Sequence, residues 1–203
     1  GAVKISGTDG LLVTGTYGSG ATIENGIGTK MFFNPRTGAF RVGRTTNNNW
    51  DADRIGNWSF AAGYNTLAKG DYSVALGYSS HAVGNYSTAM GYFVEANGNY
   101  SRSMGSGSQA NGSISTAMGY FVEANGNYST ALGSGSQANG SISTAMGNYT
   151  KANGNVSTAM GNYTNANGYS SLVIGLYNDS IVTSQTFITT TTPLFVIGNG
   201  SST

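Results

Sequence analysis

Small residues recur at every second position through the middle of the chain, and glycine recurs at every seventh. Sixteen glycines stand seven residues apart, without a break, from position 63 to position 168. The alternation of small and larger residues predicts short β-strands that turn one face inward. A helix is excluded because each of these glycines would cost it about 1 kcal/mol. Collagen is also excluded, since it requires glycine at every third residue.

The glycine spacing divides residues 57–168 into eight units of 14 residues. With Asn57 as repeat position 1, position 3 is always serine, position 12 is always alanine, and position 5 is alanine except at Ser103. Two short strands and two glycine-containing turns per unit predict one coil of a flattened parallel β-solenoid, with coils stacked about 4.8 Å apart. So narrow a coil is expected to enclose small side chains only. Glycine is expected at both corners to supply backbone freedom where the chain reverses.

The flanks predict caps for the two solenoid ends, which would otherwise expose unpaired strand edges. Residues 1–56 are interpreted as a β lead-in and cap, in which 31–33 and 39–42 form a hairpin around a turn that contains proline and glycine. Residues 169–203 are interpreted as a degraded ninth coil and a C-terminal cap. Their apolar runs 172–174 and 194–197 flank a threonine-rich loop at 183–192.

Large apolar side chains occupy repeat positions 2 and 6, which the alternation places outward on the first strand, whereas the outward positions 11 and 13 of the second strand are mainly polar. Over eight coils the apolar row would exceed the few hundred Å² that soluble monomers usually expose. We therefore expect this surface to be buried against identical copies in a closed cyclic homo-oligomer. The predicted interface residues are Tyr72, Leu76, Tyr86, Met90, Tyr100, Met104, Ile114, Met118, Tyr128, Leu132, Ile142, Met146 and Met160.

Aromatic residues also cluster at positions 8 and 9, close to two glutamates at position 11. They have two interpretations: they pack in the groove between neighbouring chains, or they form a contact surface for a glycan or a protein. Tyrosine suits the second role because it gives a large contact area at low entropic cost. The candidate partner-binding residues are Tyr92, Phe93, Glu95, Tyr120, Phe121 and Glu123.

Composition removes several functional classes. Only 8% of the residues are charged and the net charge is +1, so no basic cluster exists for nucleic-acid phosphates. Without cysteine, neither disulfides nor thiolate metal sites are possible. No apolar stretch approaches the length of a membrane span, no secretory segment begins the chain, and no coiled-coil heptads or anchor strands follow. We therefore expect a mature product or an excised fragment.

Candidate chemistry is sparse, and we expect neither an enzyme nor a cofactor. His81 is the only histidine, and Glu95 and Glu123 are about 10 Å apart if they lie two coils from each other. That separation is at the upper limit for inverting glycosidases, but a 28-residue duplication explains the pair without catalysis. Asp51 and Asp53 are a weak metal candidate that lacks the spacing of a calcium loop. A threonine row at position 4 suggests ice binding, but other residues interrupt it.

Three segments carry a family resemblance: N-Y-S-T-A-M-G at 85–91, S-I-S-T-A-M-G at 113–119 and N-V-S-T-A-M-G at 155–161. Each is followed by four residues and then A-N-G. This pattern resembles the YadA-type head repeat of trimeric autotransporter adhesins, over residues 57 to about 175. The resemblance implies an all-β, left-handed parallel β-roll in a homotrimer, with the apolar strand facing the threefold axis. It also implies adhesion or receptor binding at a cell surface; the alternative is a segment of a phage or contractile-injection tail fibre.

Overall fold

The computed structural model describes residues 12–20, 26–178 and 194–200. Within these ranges the chain forms two β-sheets, and its one helix is a single 3-10 turn (Ala52–Arg54). Each 14-residue unit contributes one five-residue strand to the first sheet and one two-residue strand to the second. The predicted all-β parallel solenoid of 14-residue coils is therefore confirmed.

The strands follow the repeat along the whole solenoid, with the five-residue strand at positions 4–8 and the two-residue strand at positions 11–12. In chain order they are β1 (Gly28–Asn34), β2 (Ala39–Thr45), β3 (Phe60–Tyr64), β4 (Leu67–Ala68), β5 (Val74–Tyr78), β6 (His81–Ala82), β7 (Thr88–Tyr92), β8 (Glu95–Ala96), β9 (Arg102–Ser106), β10 (Gln109–Ala110), β11 (Thr116–Tyr120), β12 (Glu123–Ala124), β13 (Thr130–Ser134), β14 (Gln137–Ala138), β15 (Thr144–Asn148), β16 (Lys151–Ala152), β17 (Thr158–Asn162), β18 (Asn165–Ala166), β19 (Leu172–Leu176) and β20 (Phe195–Asn199).

Successive coils pair in parallel and in register, so each side chain lies beside the residue fourteen positions away. Ala117, for example, lies between Ser103 and Ala131 and is fully buried. The interior consists mainly of such alanines, together with serines at position 3 and small or β-branched residues at position 10. Some hydroxyls find partners there, as Ser108 Oγ donates to the carbonyl oxygen of Gly119 at 2.9 Å, whereas most position-3 hydroxyls, such as that of Ser115, are buried without a hydrogen-bond partner. The expectation of a small-residue interior is confirmed.

The glycines at position 14 serve a different purpose from the one that the sequence suggested. At position 14 the φ angle of glycine is not positive, and a Cβ on Gly112 would overlap the carbonyl oxygen of Gly126 in the next coil. At position 7, Gly119 has φ +140° and faces the same obstruction from Gly133. Backbone freedom at a corner was therefore the wrong explanation for glycine at position 14. There the close approach of stacked backbones excludes every side chain.

The left-handed turns of the coils are made mostly by non-glycine residues, with glycine only at Gly107 and Gly135. Position 2 has φ near +57°, as at Tyr86, and position 9 has φ near +50°, as at Phe93. The prediction that position 2 lies on the long strand was wrong, because that strand begins two residues later. The turn conformation keeps the backbone hydrogen-bonded to the preceding coil, since Tyr86 N–H donates to the carbonyl of Asp71 at 2.8 Å.

The N-terminal end of the solenoid is covered by the predicted hairpin. Strand β1 pairs antiparallel with β2, and β2 then pairs in parallel with β3, the first long strand of the repeats. In this register Arg41 lies opposite Ala61, so an arginine occupies an inward position above the first coil. The hairpin thus begins the long sheet, and within the described residues the edge of the short strand β4 has no partner strand.

Two buried side chains donate hydrogen bonds to carbonyl groups in and beside that edge of β4. Arg41 Nη2 donates to the carbonyl of Ala68 at 2.9 Å and to Ser59 Oγ at 2.8 Å. Trp50 Nε1 donates to the carbonyl of Thr66 at 2.8 Å. Burial lowers the pKa of Arg41 to about 10, which still leaves its guanidinium charged at neutral pH. These side chains replace the donors that a preceding coil would have supplied.

The C-terminal end continues the long sheet. Strand β19 belongs to the ninth, degraded unit, and β20 pairs with it in parallel so that Val196 lies beside Val173. The threonine-rich loop predicted at 183–192 lies outside the described residues. The domain boundaries drawn from the sequence at 56/57 and 168/169 stay predictions.

Replacing Ala117 by leucine should destabilise the protein by about 1 to 3 kcal/mol or more, because the fully buried methyl site has no space for a larger side chain. Glu123→Gln is the control: glutamine already occupies this position in the neighbouring coils, and the effect should stay within about 0.5 kcal/mol. Denaturant unfolding measures both values. Equal losses in the two variants would contradict the assignment of inward and outward faces.

Trp50→Phe should cost about 1 to 3 kcal/mol, because it leaves the Thr66 carbonyl without its buried donor. The chain has one other tryptophan, Trp58, which is 46% exposed and serves as the matched control. Urea unfolding followed by circular dichroism compares Trp50→Phe with Trp58→Phe. If the two substitutions were equally mild, the capping role of Trp50 would be wrong.

Candidate functional site

Aromatic rings at position 2, preceded by Tyr17 from the N-terminal segment, form a continuous stack along the first coils. Tyr17, Trp58, Tyr72, Tyr86 and Tyr100 follow one another with centroid separations of 4.6 to 4.8 Å and interplanar angles of at most 18°. The in-register pairing of the coils sets this spacing, which equals the distance between neighbouring strands. Further along, position 2 carries the equally exposed Ile114, Tyr128 and Ile142.

A second apolar row runs along the outer face of the long sheet at position 6. Strand pairing places Met118 directly between Met104 and Leu132, and the same register extends through the other coils. These side chains are partly exposed, with Met90 at 38% and Met118 at 41%. The row consists of Leu76, Met90, Met104, Met118, Leu132, Met146 and Met160.

The residues predicted to form an oligomer interface thus fall into two parallel rows, one in the turns and one on the strands. Tyr72 and Tyr86 belong to the turn row, whereas Leu76 and Met90 belong to the strand row. Both rows remain accessible in the single chain. That they contact neighbouring copies stays a prediction.

Four of the six candidate partner-binding residues line a groove of about 400 Å³ at the other turn of the coil, and the two tyrosines, Tyr92 and Tyr120, lie beside it without lining it. Phe93 and Phe121, at position 9, lie two coils apart with Gly107 between them. A Cβ on Gly107 would come within 2.8 Å of the Phe121 ring. The absence of a side chain at Gly107 therefore leaves space for this ring. Tyr92 and Tyr120 meet the two phenylalanines edge-on, each with a centroid distance of 4.6 Å.

Carboxylates form the second side of the groove. Glu95 Oε2 accepts a hydrogen bond from Asn97 Nδ2 at 3.1 Å, and Glu123 Oε2 accepts one from Asn125 Nδ2 at the same distance. The two asparagines belong to a row at position 13 in which each side-chain amide donates to the next, at 2.7 to 2.8 Å. This amide row restrains the glutamates at the groove edge.

His81 and Asn47 line the same groove, although neither was predicted to belong to it. Burial lowers the pKa of His81 below its usual value of 6.5, although the charge of Glu95 opposes the shift. His81 is therefore neutral at pH 7, and the groove keeps the negative charge of its two glutamates. Alignment of repeat position 11 would have found His81, which shares its column with Glu95 and Gln109.

The remaining candidate metal-binding and catalytic residues do not form a common site. Asp51 Oδ1 accepts the backbone N–H of Gly26 at 2.9 Å, and Asp53 lies in the short 3-10 turn. Across the described part of the chain, no group of three or more histidine, aspartate or glutamate side chains could hold a metal ion. Glu95 and Glu123 are separated by Gln109 of the intervening coil. No helix in the described ranges is long and apolar enough to cross a membrane.

The fold and its surface rows define a repeat protein in which each 14-residue coil presents the same outward columns. The family profile described as the YadA head domain repeat, in two copies, matches residues 68–93, 96–121, 124–150, 138–164 and 152–178. These matches together cover more than half of the chain, which therefore belongs to the YadA head-repeat family. Head domains of this family are typically non-enzymatic parts of cell-surface adhesins. A search of curated proteins found none that matches.

The tyrosine stack makes a prediction about titration. Desolvation, followed by the charges of Tyr72, Tyr100 and Asp71, raises the pKa of the Tyr86 phenol above 10.0. Between pH 10 and that raised pKa the folded protein binds more protons than the unfolded chain, so stability should fall as pH rises through this window. The phenolate absorbance of Tyr86 is obtained by subtracting the absorbance of the Tyr86→Phe variant from that of the wild type. Its titration midpoint should lie above pH 10 in the folded protein and near pH 10 in denaturant. Identical midpoints would contradict the stack.

Proposed function

We propose that the chain is a non-catalytic head domain of a homotrimeric surface fibre that mediates adhesion or receptor binding outside the cell. The observation that carries the proposal is the row at position 6, an unbroken line of methionine and leucine on the outer face of one sheet. Family membership supports an assembly of three chains, because YadA-type heads belong to trimeric adhesins. Left-handed winding of the coils is part of the same proposal.

The row suits a parallel assembly of identical chains. In a cyclic trimer with parallel axes, each residue lies at the same height as its two symmetry copies, so a row along one coil stack meets the same row on its neighbours. Burial of apolar surface stabilises such contact by about 25 cal/mol per Å². Half-exposed side chains such as Met118 retain apolar area that a neighbouring chain can cover.

A binding role is supported by the way in which the polar surface is organised. The amides of the asparagine row bond mainly to one another, and the two groove glutamates lie in separate coils. Such an arrangement presents the same groups at regular intervals along a rigid stack, which suits attachment to an extended partner. Among the described contacts, none favours the tail-fibre alternative.

Sedimentation equilibrium tests the trimer. At micromolar concentration the protein should have three times its chain mass of 20.8 kDa. Met118→Lys places three charges at one level of the proposed interface and should dissociate or strongly weaken the trimer. Gln137→Lys is the matched control, because Lys151 already occupies the same position in the next coil, and this variant should stay trimeric.

A monomer mass for the wild type would refute the proposed assembly, as would a Met118→Lys variant that assembles as well as Gln137→Lys does. Beads coated with the protein test adhesion directly. They should attach to cultured cells, and beads that carry Met118→Lys should attach more weakly because multivalent engagement is lost. Attachment no greater than that of uncoated beads, over a panel of cell lines, would contradict the adhesive role.

A further inference from the structure

We propose that the groove between Phe93 and Phe121 binds an extended, linear glycan that carries no acidic groups. The inference rests on the proposed adhesive function and specifies the class of ligand for one surface of the head. It uses the groove described above, with Phe93, Gly107 and Phe121 on one side and Glu95, Gln109 and Glu123 on the other.

The groove contains two equivalent subsites. Phe93 with Glu95, and Phe121 with Glu123, occupy identical repeat positions, and the coil between them carries Gly107 and Gln109. Two strand spacings separate the subsites by about 9.6 Å. A site that repeats at this interval fits a polymer that presents the same chemical group at every second sugar ring.

The aromatic rings are placed to stack against sugar faces. Phe93 is 50% exposed and Phe121 is 58% exposed, and neither can turn into the solenoid, whose interior is closed by alanine and serine. The Phe121 ring rests against Gly107 and is held edge-on by Tyr120. A preorganised ring offers apolar contact with little loss of side-chain entropy on binding.

The backbone of the groove is unavailable to a peptide that binds as an added strand. The N–H groups of Phe93, Gly107 and Phe121 donate to the preceding coil at 2.9 Å. Those of Glu95, Gln109 and Glu123 donate to the following coil at 2.8 to 2.9 Å. Since strand addition requires free main-chain groups, recognition here depends on the rings and on the side-chain oxygens and amides.

Charge selects among the possible sugars. Ionised carboxylates only accept hydrogen bonds, so the ligand must supply donors such as hydroxyl or amino groups. Asn97 and Asn125 hold one oxygen of each carboxylate, which orients the groups at the groove edge. His81 is neutral and leaves the groove acidic, so uronic, sulfated or sialylated chains are repelled.

Isothermal titration calorimetry of the full chain with cellohexaose, a glucosamine hexamer and a hyaluronan hexasaccharide tests the inference. The neutral and amino oligosaccharides should bind, and the acidic one should not. Phe93→Gly combined with Phe121→Gly should weaken binding at least tenfold. The pair Glu95→Gln and Glu123→Gln should weaken it about tenfold, since charge-assisted hydrogen bonds are the stronger ones.

The controls use residues that the repeat already accepts. Glycine stands at position 9 in Gly107 and Gly135, and glutamine stands at position 11 in Gln109, so the variants should keep the fold. Tyr149→Gly changes the same repeat position outside the groove and should leave binding unchanged. Unchanged circular dichroism and melting temperature would establish that lost binding reflects the groove alone.

Several results would overturn the inference: no binding of either oligosaccharide at millimolar concentration, preference for hyaluronan, or wild-type affinity in the double phenylalanine variant. Capture of a basic peptide in place of the sugars, with salt-sensitive affinity, would do the same. A protein that is trimeric and adhesive but binds no glycan would refute this inference and leave the proposed function intact. A monomeric protein would refute the proposed assembly whatever the sugars do.

Discussion

The distance between the backbones of successive coils is the constraint on which the rest of the structure depends. Strands that hydrogen-bond in parallel lie about 4.8 Å apart, and at two points in every coil this leaves no space for a Cβ. A side-chain carbon on Gly112 or Gly119 would overlap the carbonyl oxygen of the glycine fourteen residues later. The glycine spacing therefore fixes the register, and the register then places every outward side chain in a column.

Columns turn modest local interactions into extended surfaces. One column stacks tyrosine rings, another aligns methionine and leucine, and a third links asparagine amides into a chain of hydrogen bonds. Each surface follows from the same register, yet each differs in chemistry. This separation allows one face to serve association between copies and another to remain available to a ligand, without any change to the alanine and serine interior.

The sequence sufficed for what the repeat determines directly. The inward alanines and the parallel coils follow from periodicity, because a buried small residue every second position has few alternatives, and the hairpin before the first coil follows from its proline- and glycine-containing turn. It did not suffice for Arg41 and Trp50, whose partners are carbonyls at one end of the solenoid. A signal for Arg41 existed: F-R-V-G at 40–43 aligns with F-A-A-G at 60–63. The left-handed turn at position 2 was missed because bulky residues rarely adopt positive φ.

Deletion of one coil tests the central claim, that register at a spacing of fourteen residues specifies the fold. Removing residues 113–126 should give a protein that unfolds cooperatively and keeps the β-sheet circular dichroism of the parent, because every remaining residue still meets an equivalent neighbour. Removing only residues 113–119 should abolish cooperative unfolding, since it places a five-residue strand against a two-residue strand. Equal thermal unfolding of the two deletions would contradict the account.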